Sequence, residues 1–337
     1  MVETSEEARL RGEPFKPLAG RLLRNENAVL FLALVALVFI FATVTGGLTI
    51  RGANLMNILM QSSIRGVASV GQAFVILTAG IDVAVGGIGL MCAVLGASLM
   101  THAPYLNLIG YSIPVFLGLP IMLLVGSGWG AVNGLSVSRI GMPPLIVTLA
   151  MWGITEGVAF LICGGRSIAQ LPDSLSLVGQ GEIAGVPVPV IIFFVMAALG
   201  YVVLEHTALG RSIYATGGNP ASAWLSGVNV RNVQLVAYVI SGFLGGLAAI
   251  ILTGRVMSAS MRTLAGLELD SIAAVCVGGV SLAGGKGTMV GVIIGVLMIG
   301  VINNGMSVMG ADPAVMGIVK GGILFTAVAI DYIRRQS

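Results

Sequence analysis

The sequence predicts an all-helical, polytopic membrane protein with about ten transmembrane helices, some of them broken, and with both termini in the cytoplasm. Three observations carry this. Hydrophobic residues make up 56% of the 337 and charged residues only 9%, and mean hydropathy is +1.01. Soluble domains carry about 25% charged residues, so lipid is the solvent for most of this surface. The apolar residues fall in runs long enough for a helix to cross the hydrocarbon core, which takes about 20 residues. They lack the strict alternation of a barrel, and helices and closed barrels are the structures that satisfy their own backbone in lipid. Lys and Arg are distributed unevenly between the loops.

The runs follow in order. Residues 28–46 end at Gly46-Gly47, and 54–79 are interrupted by Gln61-Ser62-Ser63 and Arg65. Residues 84–101 start after Gly80-Ile81-Asp82, and 111–137 follow. Residues 143–163 open at Pro143-Pro144 and close at Gly164-Gly165. Then come 187–204, 232–254, 268–282, 288–308 and 314–333. With alternating spans and a cytoplasmic N-terminus, one side holds Arg9, Arg11, Lys16, Arg21, Arg24, Arg139, Arg211, Arg231, Lys286, Arg334 and Arg335. The other holds Arg51, Arg166, Arg255 and Arg262, while Arg65 and Lys320 lie inside spans. Cytoplasmic loops are the basic ones, which orients the chain. The division is a polar segment 1–27 without a signal-peptide cleavage pattern, a membrane domain 28–333, and a tail 334–337.

Net charge is only +3, which gives no reason to expect nucleic acid. Cys92, Cys163 and Cys276 are far apart in apolar runs, so no disulfide framework or metal site is expected, and packing is the reading. No catalytic constellation occurs, and His102 and His206 fall in opposite loops. Gly284-Gly285-Lys286-Gly287-Thr288 lacks the spacing and preceding strand of a nucleotide loop. Active transport would therefore draw on another chain or on an ion gradient.

The longest polar stretch, 205–231, lies between spans on the cytoplasmic side and reads as a docking surface. Asn219 can cap a short helix with Pro220 at its first position. That helix would carry Trp224 and Leu225 into the cytoplasm, and exposed apolar residues of this kind mark interfaces. Lying on lipid headgroups is the other reading.

Within the spans, Asp82 either caps the following helix or serves function at membrane depth. Glu156 must be paired, protonated or water-facing, with Arg65 a candidate partner. Gln61, Ser62, Asn303 and Asn304 either bond between helices or line a path for a hydroxyl-rich solute. Lys320 is long enough to snorkel partway. Gly80-Ile81-Asp82-Val83-Ala84-Val85-Gly86 echoes Gly279-Val280-Ser281-Leu282-Ala283-Gly284-Gly285, a pattern expected of two parallel repeats.

Four motifs in order resemble the ribose-type ABC transporter permeases. Ala79-Gly80-Ile81-Asp82-Val83-Ala84-Val85-Gly86 is similar to their GGIDLSVG signature, and Val147-Thr148-Leu149-Ala150 to Gly164-Gly165 is similar to a TLGM…GG helix. The stretch from Gly210 to Val228 resembles GR.IYA.GGN..AA.LSGI, and Val277 to Thr288 resembles GG.S..GG.G. Ala79, Ala84, Glu156 and Trp224 depart from the usual residues of those motifs. The resemblance implies a monosaccharide importer permease with no catalytic residue and no cofactor of its own. It implies a paired pore, from a second copy or a paralogue. ATP would be used by a cytoplasmic ABC-type ATPase, and sugar would come from a periplasmic or lipid-anchored binding protein. It implies that Gly218, Asn219, Pro220, Ala221, Ser222, Ala223, Trp224, Leu225, Ser226 and Gly227 couple to that ATPase. Polyol or nucleoside cargo, or an ion-coupled transporter or channel, are the alternatives.

Overall fold

The computed structural model describes residues 26–336. Most of the 1–27 segment, with Arg9, Arg11, Lys16, Arg21 and Arg24, lies outside the described residues, as do the side chains of Arg334 and Arg335 and residue 337.

Each of the ten apolar runs contains a helix. These are α1 (Glu26–Val44), α2 (Gly52–Leu77), α3 (Val85–Met100), α4 (Val115–Leu135) and α5 (Pro144–Cys163), then α7 (Val188–His206), α10 (Val230–Val256), α11 (Leu267–Val277), α12 (Met289–Val308) and α13 (Pro313–Gln336). Shorter pieces lie between them: α6 (Ser176–Gly179), α8 (Ala208–Gly218) and α9 (Pro220–Leu225). An antiparallel hairpin of β1 (Glu182–Ile183) and β2 (Val186–Pro187) precedes α7. Among the described residues, seven helices are long and apolar enough to cross a membrane: α1, α4 with its wider last turn, α5, α7, α10, α12 and α13. At 26 residues α2 is long enough to span, but it carries the polar interruption, with Ser62 and Ser63 buried and Gln61 and Arg65 half-buried.

Two expected spans are short. At 1.5 Å per residue, the 16 residues of α3 and the 11 of α11 reach about 24 and 17 Å, short of a hydrocarbon core of about 30 Å. The expected span 268–282 stops at Val277 because Gly279 turns left-handed, at φ +82°. Hydropathy continues through that point, but the helix does not.

The core is built around α2 and α10. Helix α10 packs against α4, α2 and α3, and α12 packs against α2, α11 and α1. Close approach of α4 and α10 is a matter of missing side chains. Gly126, Gly130 and Gly134 stand four residues apart on one face of α4 and meet Gly242, Tyr238 and Leu235 of α10. A Cβ on Gly126 would overlap the Gly242 carbonyl, and one on Gly130 the Tyr238 carbonyl. Lipid gives apolar helices no hydrophobic reason to associate, so this small-residue contact is what draws the pair together. The outward faces carry residues such as Phe39, Phe116, Leu161 and Phe325, each more than two-thirds exposed, as lipid-facing surfaces require.

Candidate functional site

The polar stretch 205–231 folds into two capped helices. Thr207 Oγ1 accepts from the Gly210 N–H at 3.2 Å and opens α8. Asn219 Oδ1 accepts from the Ser222 N–H at 3.0 Å and opens α9, with Pro220 at the first position. Gly227, at φ +85°, turns the chain after α9. Ala223 is buried, while Trp224 and Leu225 are 69% and 78% exposed. Beside them runs a groove of about 780 Å³ lined by Arg139, Pro220, Trp224, Gly227, Asn229 and Arg231 among others. Arg139, from the end of α4, is fixed there by donating to Asn232 Oδ1 at 2.6 Å. The sequence reading counted Arg139 for topology and did not place it in this surface. Burial and the nearby Glu205 push the Tyr214 phenol on α8 up to about 12. It therefore stays protonated and donates to the Gly287 carbonyl at 2.9 Å.

Inside the bundle, Arg65 pairs with Asp270 and not with Glu156. Arg65 Nε lies 2.7 Å from Asp270 Oδ2, and Lys320 Nζ lies 2.9 Å from Asp270 Oδ1. One carboxylate on α11 thus holds cations from α2 and α13. Lys320 is spent on this pair rather than on snorkelling. Asp270 also stands between two cavities. One, of about 250 Å³, is lined by Gln61, Arg65, Arg255, Arg262 and Asp270 with apolar neighbours. The other, of about 270 Å³, takes Lys320 and Asp270 among apolar and glycine residues. Sequence reasoning missed Asp270, Arg255 and Arg262 as site residues. A carboxylate near the start of the apolar run 268–282 was the available signal for the first.

The remaining candidates are dispersed. Gln61 stands four residues before Arg65 in the 250 Å³ cavity and donates to Asn57 Oδ1 at 3.1 Å. Ser62 is buried, and its hydroxyl occupies the space a Cβ on Gly300 would need. Asn304 exchanges two amide hydrogen bonds with Asn54, at 2.8 and 3.0 Å, and ties α12 to α2. Asn303 is buried with no hydrogen-bond partner among the described residues. Glu156 is half-buried on α5, within electrostatic range of Glu268.

Asp82 is fully buried in the break before α3. Its Oδ1 accepts from the Ala84 N–H at 3.0 Å, one residue short of the helix, and its Oδ2 accepts from the Ser241 hydroxyl at 2.7 Å. The Gln72 carboxamide, oriented to satisfy both its atoms, donates to the Asp82 carbonyl at 3.1 Å and accepts from the Asp82 N–H at 3.2 Å. The Asp82 side chain therefore fastens the break to α10 more than it caps α3. Leaving a buried polar group without its partner costs about 1–3 kcal/mol. Ser241→Ala is expected to lower the melting temperature of the detergent-solubilised protein, and an unchanged melting temperature would show that the bond is not needed.

Broken helices in a closely packed apolar bundle, with cavities around the buried Asp270 and a capped helix carrying exposed apolar residues in a loop, are the features of a transport protein of the membrane. The chain belongs to the family described as branched-chain amino acid transport system / permease component, which matches residues 54–328, and within it to the ribose-type ABC permeases of the bacterial inner membrane. It is 35% identical to the ribose import permease protein RbsC of Haemophilus influenzae, covering 93% of this chain and 94% of that one. It is 37% identical to RbsC of Escherichia coli K12, over 89% and 92%. It is 35% identical to the fructose import permease protein FrcC of Rhizobium meliloti, over 91% and 86%. No solved structure matches the chain.

Proposed function

We propose that this chain is the pore-forming subunit of an ATP-driven importer that receives a monosaccharide, a pentose or hexose, from a binding protein. The observation that carries the reading is α9. It is a capped helix in the longest polar internal stretch, and it presents Trp224 and Leu225 beside a groove of about 780 Å³. Large apolar side chains exposed in water are anchors for a protein partner, here a separate ATPase that performs the hydrolysis. On this reading the ten apolar runs cross or enter the membrane with both termini inside, as the Lys and Arg distribution favours, which would put that stretch on the ATPase side. Relatives named for ribose, D-allose and fructose import support the cargo class. The 250 Å³ cavity, with its Arg, Gln and Asp, offers donors and acceptors suited to sugar hydroxyls. Two such chains, or this one and a paralogue, would enclose the path. ATP-driven closure of the ATPase pair would open it outward, and polar groups within the bundle, including Gln61, Arg65 and Asp82, would rearrange as access alternates.

The test is affinity purification in detergent with mass spectrometry of what is retained. Wild type is expected to hold an ABC-type ATPase. Trp224→Asp and Gly227→Arg are expected to lose it without loss of expression, because a hot-spot residue contributes about 2–4 kcal/mol, roughly 30- to 1,000-fold in affinity. If no ATPase is retained and an uncoupler abolishes uptake, the ion-coupled reading replaces this one.

A further inference from the structure

Helix α8 ends where three stretches of main chain touch without a side chain between them. The Leu77 carbonyl, one of the last in α2 and so without a partner in its own helix, accepts from the Gly285 N–H at 3.0 Å. This bond joins the break before α3 to the break before α12, the two segments that echo each other in sequence. Gly217, in the last turn of α8, sits on that bond. A Cβ there would overlap the Leu77 carbonyl and lie 2.5 Å from the Gly285 nitrogen. One on Gly285 would lie 2.7 Å from Gly218, and one on Gly284 would lie 2.6 Å from the Ala79 nitrogen. Tyr214, one turn earlier on α8, holds the Gly287 carbonyl. On its other side α8 runs through a single residue, Asn219, into α9.

Side chains can rotate out of the way of a moving neighbour, but main chain in van der Waals contact must move with it. Packed interiors transmit displacement for this reason. We propose that Gly217 and Tyr214 are the positioning residues through which a displacement of α9 reaches both broken helices at once. The inference rests on α9 being the ATPase contact. It adds that the two breaks do not respond in turn: one push at the end of α8 shifts both.

The test uses the whole importer, with its ATPase and binding protein, in proteoliposomes. Sugar uptake and ATP hydrolysis are measured together, with radiolabelled D-ribose, D-allose and D-fructose as probes. Gly217→Ala sets its methyl against main chain and is read only in complexes that assemble with the ATPase; there it is expected to hydrolyse ATP while sugar moved per ATP falls at least about fivefold, the lower end of typical coupling free energies. Tyr214→Phe, which removes one hydrogen bond, is expected to lower the same ratio about twofold or more. Gly128→Ala, whose added methyl meets open space on α4, is expected to match wild type. Should Gly217→Ala fail to assemble, Tyr214→Phe decides alone. An unchanged ratio, or hydrolysis and uptake falling in proportion, overturns the inference and leaves the importer reading standing. A wild-type complex that holds no ATPase, or takes up none of the three sugars, overturns the importer reading and this inference with it.

Discussion

Gly242→Leu is expected to abolish the folded protein. The Cα of Gly242 faces the main chain of α4, where an added Cβ would overlap the Gly126 carbonyl and come within 2.9 Å of the Gly130 Cα. Main chain cannot step aside as a side chain does, so α4 and α10 must separate along their whole crossing. Overpacking a core with room to adjust costs about 1–3 kcal/mol, and this site has no such room. Every neighbouring contact in the Gly126, Gly130, Gly134 series opens at the same time. The outcome is read from membrane yield and from the monodispersity of the detergent-extracted protein on size exclusion. Gly128→Leu separates sterics from composition. It lies on the same helix two residues from Gly126, but faces open space, and is expected to behave as wild type. A well-behaved Gly242→Leu protein would mean that the two helices do not cross at these glycines.

Asp270→Asn is the second large effect. The carboxylate is 6% exposed, and its two cations are about 30% exposed. Neutralising one member of a fully buried ion pair costs about 3–5 kcal/mol, and the partial exposure of Arg65 and Lys320 reduces that figure here. Here two charges are left at once, Arg65 on α2 and Lys320 on α13. A large drop in thermal stability in detergent is expected, together with loss of uptake. The triple variant Arg65→Met, Asp270→Leu, Lys320→Met distinguishes structure from function. Apolar groups of similar size often replace a buried ionic cluster at no loss of stability, so melting is expected to recover. Uptake is not expected to recover, because the cavity has lost Arg65 and Asp270. An Asp270→Asn protein as stable as wild type would remove the triad from any account of how these three helices hold together.

The helices were legible because lipid asks some 20 apolar residues of each crossing: every one of the ten apolar runs holds a helix, and seven helices among the described residues are long and apolar enough to cross. The cap of α9 was legible because an Asn ahead of a Pro marks a helix start, whereas the Thr207 cap of α8 was not read from the sequence. Partnerships were harder. Arg65 and Asp270 are 205 residues apart, and nothing local in α2 distinguishes Asp270 from Glu156 as the nearer carboxylate. The short length of α11 was hidden for a related reason. Hydropathy sums over side chains, whereas the helix is stopped by the dihedral of one glycine, at Gly279. The Gly217 junction was hidden most completely, since contacts between main chains leave no mark in sequence except a glycine among 49.

Gln72 belongs to an unbroken helix, yet it gives Asp82 what an adjacent strand would give: one N–H and one C=O, spaced as in a peptide. The irregular segment is thus splinted by an imitation peptide group carried on a neighbouring rod. Glutamate at 72 would present two acceptors where a donor is required, and asparagine would fall a methylene short. Of the common side chains, glutamine alone has both the reach and the pairing, so the shape of the break before α3 is written into a helix that does not itself contain it.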